Sequence, residues 1–264
     1  MAVQDKRYLL GLALVAFLVS ACRAPGGETD RSASFEQPIQ EVFLSELVYP
    51  QEERETQISI AVQYENNDDD AYRTPLSLEY GITGAWRIEL EWDAYADHER
   101  AGGGRTAGTG DVEIGTAYSF MNLGGSDVHA ALGSSVTLPT GDDDRELGEG
   151  ETTYEPYGVV AMDTPLLPRS QVFTQLGTEL NDGAPEWFWN IGFFVPFDHR
   201  NRYVLTTEFN WTEEERYLTP GVVFNLPGTW ELGVGAPIGL TSEADDYRVI
   251  LFLTFEFGGT GDDD

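Results

Sequence analysis

From Glu55 to the end of the chain, apolar and polar residues alternate with a period of two. Ile58, Ile60, Val62 and Tyr64 alternate with Gln57, Ser59, Ala61, Gln63 and Glu65, and Trp86, Ile88, Leu90 and Trp92 alternate with Arg87, Glu89, Glu91 and Asp93. A helix cannot sort such positions onto two clean faces, whereas a strand does so at every residue. About twelve such runs follow one another, over 55–65, 73–81, 86–95, 111–121, 128–138, 154–162, 171–180, 187–195, 202–211, 217–226, 230–238 and 247–257. The sixth is the least regular, because Pro156 and the pair Val159-Val160 interrupt its alternation. Connections alternate in kind: 81–85, 122–127, 196–201 and 227–229 are short, while 96–110 and 139–153 are long and rich in Gly or acid.

Alternation alone does not say which face is inside. A soluble barrel turns its apolar face inward, and a membrane barrel turns it to lipid. Trp86, Trp92, Trp187, Trp189, Trp211 and Trp230 all fall on the apolar face, and four of them open or close a strand, where aromatic girdles mark a lipid boundary. The opposite face combines acids with Gly115, Ala117, Gly133, Gly177, Gly192, Gly233 and Gly235, small residues suited to a narrow lumen. The pattern therefore predicts an all-β fold, an antiparallel up-and-down transmembrane β-barrel of about 12 strands. Its last strand, Tyr247–Phe257, is expected to pair with Glu55–Glu65 and remove both sheet edges. A soluble lipid-anchored β protein is the alternative fold.

Upstream of the barrel, residues 1–21 have a charged start with Lys6 and Arg7, an apolar run from Tyr8 to Val19 and small residues at the end, the layout of a signal peptide. Leu18-Val19-Ser20-Ala21-Cys22 looks like a bacterial lipoprotein signal, which would make Cys22 the lipidated mature N-terminus, with Arg23 implying the outer membrane. Residues 22–54 are expected to form a periplasmic linker. Within it Pro38–Val48 shows a weak helical pattern, a possible short helix that rests against the barrel mouth or lies loose. The barrel is placed at 55–258 and an acidic tail at 259–264. Cys22 is the single cysteine, so no intramolecular disulfide forms.

Composition changes the picture through charge. The chain has 46 acidic and 15 basic residues, a formal net charge of −31, and no lysine after Lys6. Nucleic acid is excluded as a partner, since phosphate binding requires clustered cations. A surface this acidic also suits a salty medium, with compositional drift as the plainer explanation.

Candidate chemistry lies on the non-apolar face. Glu65, Glu79, Glu89, Glu91, Asp93, Glu113, Glu179, Glu208, Glu231 and Glu256 are expected there, with Arg87, Arg248 and His129. In an open lumen such carboxylates favour cations and neutral solutes. In a sealed one, Arg87 and Arg248 would bridge carboxylates within a buried polar network. Acidic clusters at Asp68–Asp70, Asp142–Asp144 with Glu146, Glu213–Glu215, and Glu243 with Asp245 and Asp246 fall in loops and lack the ligand spacing of a calcium loop, so solvated charge is the expected reading. His98 and His199 lie in loop and turn. No motif pairs a nucleophile with a base, and no phosphate cradle follows Gly102-Gly103-Gly104. No catalytic site, cofactor or metal is expected.

Gly110-Asp111-Val112-Glu113-Ile114-Gly115 with Tyr118, then Leu138-Pro139-Thr140-Gly141 and the following Tyr154 and Pro156, resembles the outer-membrane family named after the meta pathway of phenol degradation. The resemblance covers much of residues 55–258. It implies an outer-membrane barrel and, as in some members, transport. Ala117 stands where Lys is frequent in that family, and the lipoprotein signal is a second departure. The expected function is passage or binding of small solutes through a lumen biased toward cations or neutral molecules, with outer-membrane lipid as the surroundings. A closed structural or surface-interaction barrel is the main alternative, and a membrane hydrolase around His129 a more distant one.

Overall fold

A computed structural model of the protein describes residues 38–66, 70–99, 104–164, 169–181, 183–198 and 200–259. The lipidation candidate Cys22, the signal segment 1–21, His199 and the tail beyond Gly259 lie outside the described residues. The wall is built from β1 (Glu55–Asn66), β2 (Asp70–Thr83), β3 (Trp86–Glu99), β5 (Val112–Phe120), β6 (Val128–Leu138), β7 (Thr153–Asp163), β8 (Gln171–Glu179), β9 (Glu186–Pro196), β10 (Tyr203–Trp211), β11 (Arg216–Asn225), β12 (Trp230–Gly235) and β14 (Tyr247–Gly258). Two short strands accompany it. β4 (Arg105–Gly108) folds back on the end of β3, and β13 (Ile238–Gly239) continues β12 between β11 and β14.

Each wall strand pairs antiparallel with the next, and β14 closes the circle on β1 in an unbroken register from Glu55 opposite Gly258 to Asn66 opposite Tyr247. The result is a closed twelve-stranded transmembrane barrel with no free edge. The segment expected as a loop over 96–110 instead carries a hairpin. A register shift between Thr74 and Pro75 opposes Tyr95 to Thr74 and Asp93 to Pro75, which breaks the alternation beyond Asp93 and hides the continuation of β3. In β7 the irregular pair resolves simply: Val159 is buried against the interior and Val160 faces outward.

The outward face carries a continuous apolar belt that includes Ile58, Ile60, Val62, Leu78, Leu90, Ile114, Ile191, Leu205 and Leu251, each more than a third exposed. Rings border it at both ends. Trp86, Tyr80, Trp230, Tyr203 and Phe257 lie near the short turns, and Trp92, Tyr72, Trp189, Trp211 and Tyr247 near the long loops. Ten residue steps from Tyr247 to Phe257 at ~3.3 Å each, tilted by ~40°, span ~25 Å, the height of the apolar band of outer-membrane barrels. A soluble surface rarely exposes so much contiguous apolar area, and lipid removes the cost.

Residues 38–54 overturn the expected linker and short helix. They form no helix and thread into the barrel from the end that carries the short turns, turn near Ser45 and Glu46, and return to enter β1. Ile39, Val42, Phe43, Leu47, Val48 and Tyr49 pack with the inward residues Ala131, Val159, Ala161, Phe173, Phe194, Val204, Val223, Ile250 and Phe252 into one core. The physical reason is a competition for main-chain donors. A helix starting at Pro38 would take the N–H groups of Phe43, Leu44 and Glu46 into its own ladder, but wall side chains accept them here, as Glu231 accepts the first-turn N–H groups of Gln40 and Glu41.

Candidate functional site

Strand alternation places all thirteen sequence-predicted lumen residues on the inward face, and they divide into three groups. The first surrounds the re-entrant segment. Glu208, on β10, accepts the N–H groups of Phe43 at 2.8 Å and Leu44 at 3.1 Å. Glu231, on β12, accepts those of Gln40 and Glu41, and Glu256, on β14, accepts the side-chain amide of Gln40 at 2.9 Å. On the other side of the lumen the carboxylate of Glu41 meets Ser59 Oγ and accepts from Gln57 Nε2 at 2.7 Å. The chain thus uses strand carboxylates as docking points for its own backbone.

The second group is a band of acids rising toward the loops. Glu79 stands directly opposite Glu89 across β2 and β3, and Glu91 directly opposite Glu113 across β3 and β5, with Asp93 next along β3. Like charges in direct cross-strand register are unfavourable. Arg87 lies at the lower end of the band and donates to Glu79 at 2.8 Å and to Glu46 of the re-entrant segment. Higher up, Arg248 pairs with Asp245 at 2.6 Å, Glu215 at 3.5 Å and Glu65 at 3.9 Å, and its guanidinium lies over the Tyr217 ring. Glu179 joins the mouth near Glu186.

Together these walls enclose a vestibule of about 430 Å³, with Gln40 to Leu47 as its floor and Glu89, Glu91, Glu155, Tyr217 and Arg248 among its sides. A second cavity of about 690 Å³ lies beside Asp93, Glu113 and Glu65, under the 139–152 loop, whose Leu147 is buried and whose Glu146 contacts His98 Nδ1 at 2.6 Å. Among the described residues no group of three or more His, Cys, Asp or Glu converges to hold a metal ion.

His129 stands apart, fully buried at the short-turn end. Asn122 N–H donates to its Nδ1 at 3.1 Å, and its Nε2 faces Asp163 at 3.3 Å. Asp163 also accepts from Gln171, which in turn donates to Tyr49 OH at 2.6 Å. Both ring nitrogens therefore serve a structural network that holds Tyr49.

Residues missed by sequence reading include Glu155, which shares the inward parity of β7, and the uncharged hosts Gln57, Gln171, Gln175, Asn190 and Asn210. Parity alone could have found them. Glu41 and Glu46 could not be found that way, because they belong to no strand.

No protein-family model and no curated protein sequence matches the chain. Solved structures do share its fold. It is similar to an outer membrane channel from Pseudomonas putida F1, with a TM-score of 0.65 at 12% identity over 82% of this chain and 100% of that one. It is also similar to the KdgM porin, one structure of which holds disordered oligogalacturonate, with a TM-score of 0.52 at 12% identity over 76% and 99%. The NanC porin gives 0.52 at 9% identity over the same shares. At these identities the likeness shows the fold.

Proposed function

We propose that the protein is an outer-membrane channel for small cationic or neutral solutes, closed by its own residues 38–54 and opened when that segment shifts. The observation that carries this reading is the vestibule itself: a polar cavity, rich in carboxylates, whose floor is a separate piece of chain and not the wall of the barrel. A sealed structural barrel needs no like-charged pairs such as Glu91 and Glu113, whereas a cation path gains from them. The same charge is unsuited to a polyanion such as the oligogalacturonate held by the KdgM porin. Lipid attachment through Cys22 would place the start of the chain at the periplasmic face, the end from which residue 38 enters the lumen. The resemblance to the phenol meta-pathway family agrees with a transport role but does not name a solute.

The purified full chain reconstituted in planar bilayers tests the reading. Under a salt gradient it should carry small currents whose reversal potential has the sign of cation preference, and that preference should weaken at high salt as the carboxylates are screened. Folded protein that carries no current and admits no solute into liposomes would mean a closed structural barrel instead.

A further inference from the structure

The apex of the re-entrant segment is held from both sides of the lumen. On one side Glu46 N–H donates to Gln175 on β8 at 3.0 Å, Asn190 on β9 donates to Leu44 C=O at 3.3 Å, and Asn210 on β10 contacts Ser45 at 3.2 Å. On the other side the Glu46 carboxylate reaches across to Arg87 on β3. In the cyclic order of the twelve wall strands β8, β9 and β10 stand four, five and six strands from β3, so the apex, held by Arg87 on one side and reaching Asn210 on the opposite strand β10, forms a strut across the barrel.

Among the described residues, the other titratable side chains near the contact on that side of the vestibule are acids. Glu79 is the cross-strand neighbour of Glu89, Glu91 follows along β3, and the segment adds Glu41 and Glu46. The Arg87 side chain is 8% exposed and lies between Glu79 and Glu46. Without its guanidinium, the apex carboxylate would face a wall of its own sign in a confined, poorly screened space, and the segment would be driven away from β1–β3. The sign of one wall residue therefore decides whether the apex is drawn to the acidic side of the lumen or pushed from it.

We propose that Arg87 is the positioning residue that keeps the channel closed, acting through Glu46, and that it also limits cation selectivity by placing a positive charge in the lining of the vestibule beside its floor. This rests on the channel reading above. The inference extends it by assigning closure and ion preference to one contact.

The test uses the full-length protein in planar bilayers, with folding checked by heat-modifiable gel mobility. Arg87→Ala and Glu46→Gln should each raise the mean current, on the order of tenfold, because either change removes one partner of an enclosed ion pair and shifts the closed–open balance. The double variant should rise no further than the larger single change, since both break the same contact. Arg87→Lys should restore most of the closure. Reversal potentials separate a lock from a merely structural arginine: Arg87→Ala should increase cation preference and Glu46→Gln should decrease it, although both open the pore.

Wild-type current that neither single variant alters, or reversal potentials that both leave unmoved, would overturn the lock while the channel reading stands. Absence of current and solute uptake in wild type and in every variant would remove both. If Arg87→Ala does not fold, Glu46→Gln carries the test, because its side chain is about a third exposed and lies outside the strands.

Discussion

The ring of Phe43 rests where the wall has no side chains. A Cβ at Gly235 would come within 2.4 Å of it and one at Gly221 within 2.1 Å, so both positions exclude any larger residue while the ring is docked. The same arrangement recurs along the interior. Tyr157 covers Gly133, Phe188 covers Gly177, Phe173 covers Gly192 and Phe252 covers Gly233. The small residues were legible as a mark of a narrow lumen, but their local purpose is to seat rings. Phe43 also packs against Phe252, with ring centroids 5.4 Å apart and the rings tilted at 44°, and truncating such a side chain costs ~3–5 kcal/mol. Phe43→Ala should accordingly weaken docking of residues 38–54 and leave the barrel intact. Limited proteolysis should then cut this segment with the gel mobility of the folded barrel unchanged; equal protection in variant and wild type would show that packing does not hold the segment.

At the scale of elements, β14 shows how a strand is specified by its two surroundings. Tyr247, Leu251, Leu253, Phe255 and Phe257 face lipid while Arg248, Ile250, Phe252, Thr254 and Glu256 face the interior, and the register with β1 runs without a break. Depth in the membrane then sets the cost of a charge. Leu251→Arg, near mid-height, should destabilise the barrel by ~2–4 kcal/mol, and Phe257→Arg, at the girdle, by about 1 kcal/mol at most. Urea unfolding in lipid vesicles would measure both, and equal costs at the two sites would contradict a lipid-facing row. Period two was sufficient to read these strands because each face meets one kind of environment. It failed beyond Asp93, where the shift at Thr74 and Pro75 breaks the parity, and at Val159-Val160, where the inner face turns apolar to meet the re-entrant segment.

At the scale of the whole molecule, the proposed closure by residues 38–54 should depend on pH through Glu41. Burial between wall and segment, followed by the nearby Glu79 charge, pushes its carboxyl from an ordinary 4.5 to about 7. The docked segment therefore binds this proton more tightly than the undocked one. Docking is fully supported by it below about pH 4.5, loses that support progressively as pH rises toward 7, and lacks it above. Mean current should increase between pH 5 and pH 8, and Glu41→Gln, which cannot ionise, should flatten that increase. An unchanged pH profile in Glu41→Gln would show that other groups control docking. The net acidity visible in the composition thus becomes a division of labour in the folded protein, with some carboxylates lining the vestibule and others docking the segment that fills the lumen.

By itself the sequence determined the strands, their number, the lipid-facing row and the inward parity of Glu79, Arg87, Glu208 and their neighbours. Alternation is a local property, and in a closed barrel one bit per residue, in or out, describes most of the wall. Tertiary structure alone decided what fills the lumen. Residues 38–54 carry only a weak helical pattern, which misleads, and their backbone partners Glu208 and Glu231 lie 165 and 191 positions away from Phe43 and Gln40. Pairing of β10 and β12 with β11 sets those acceptors on one interior wall, at a spacing that favours an extended re-entrant segment over the helix its apolar pattern suggests.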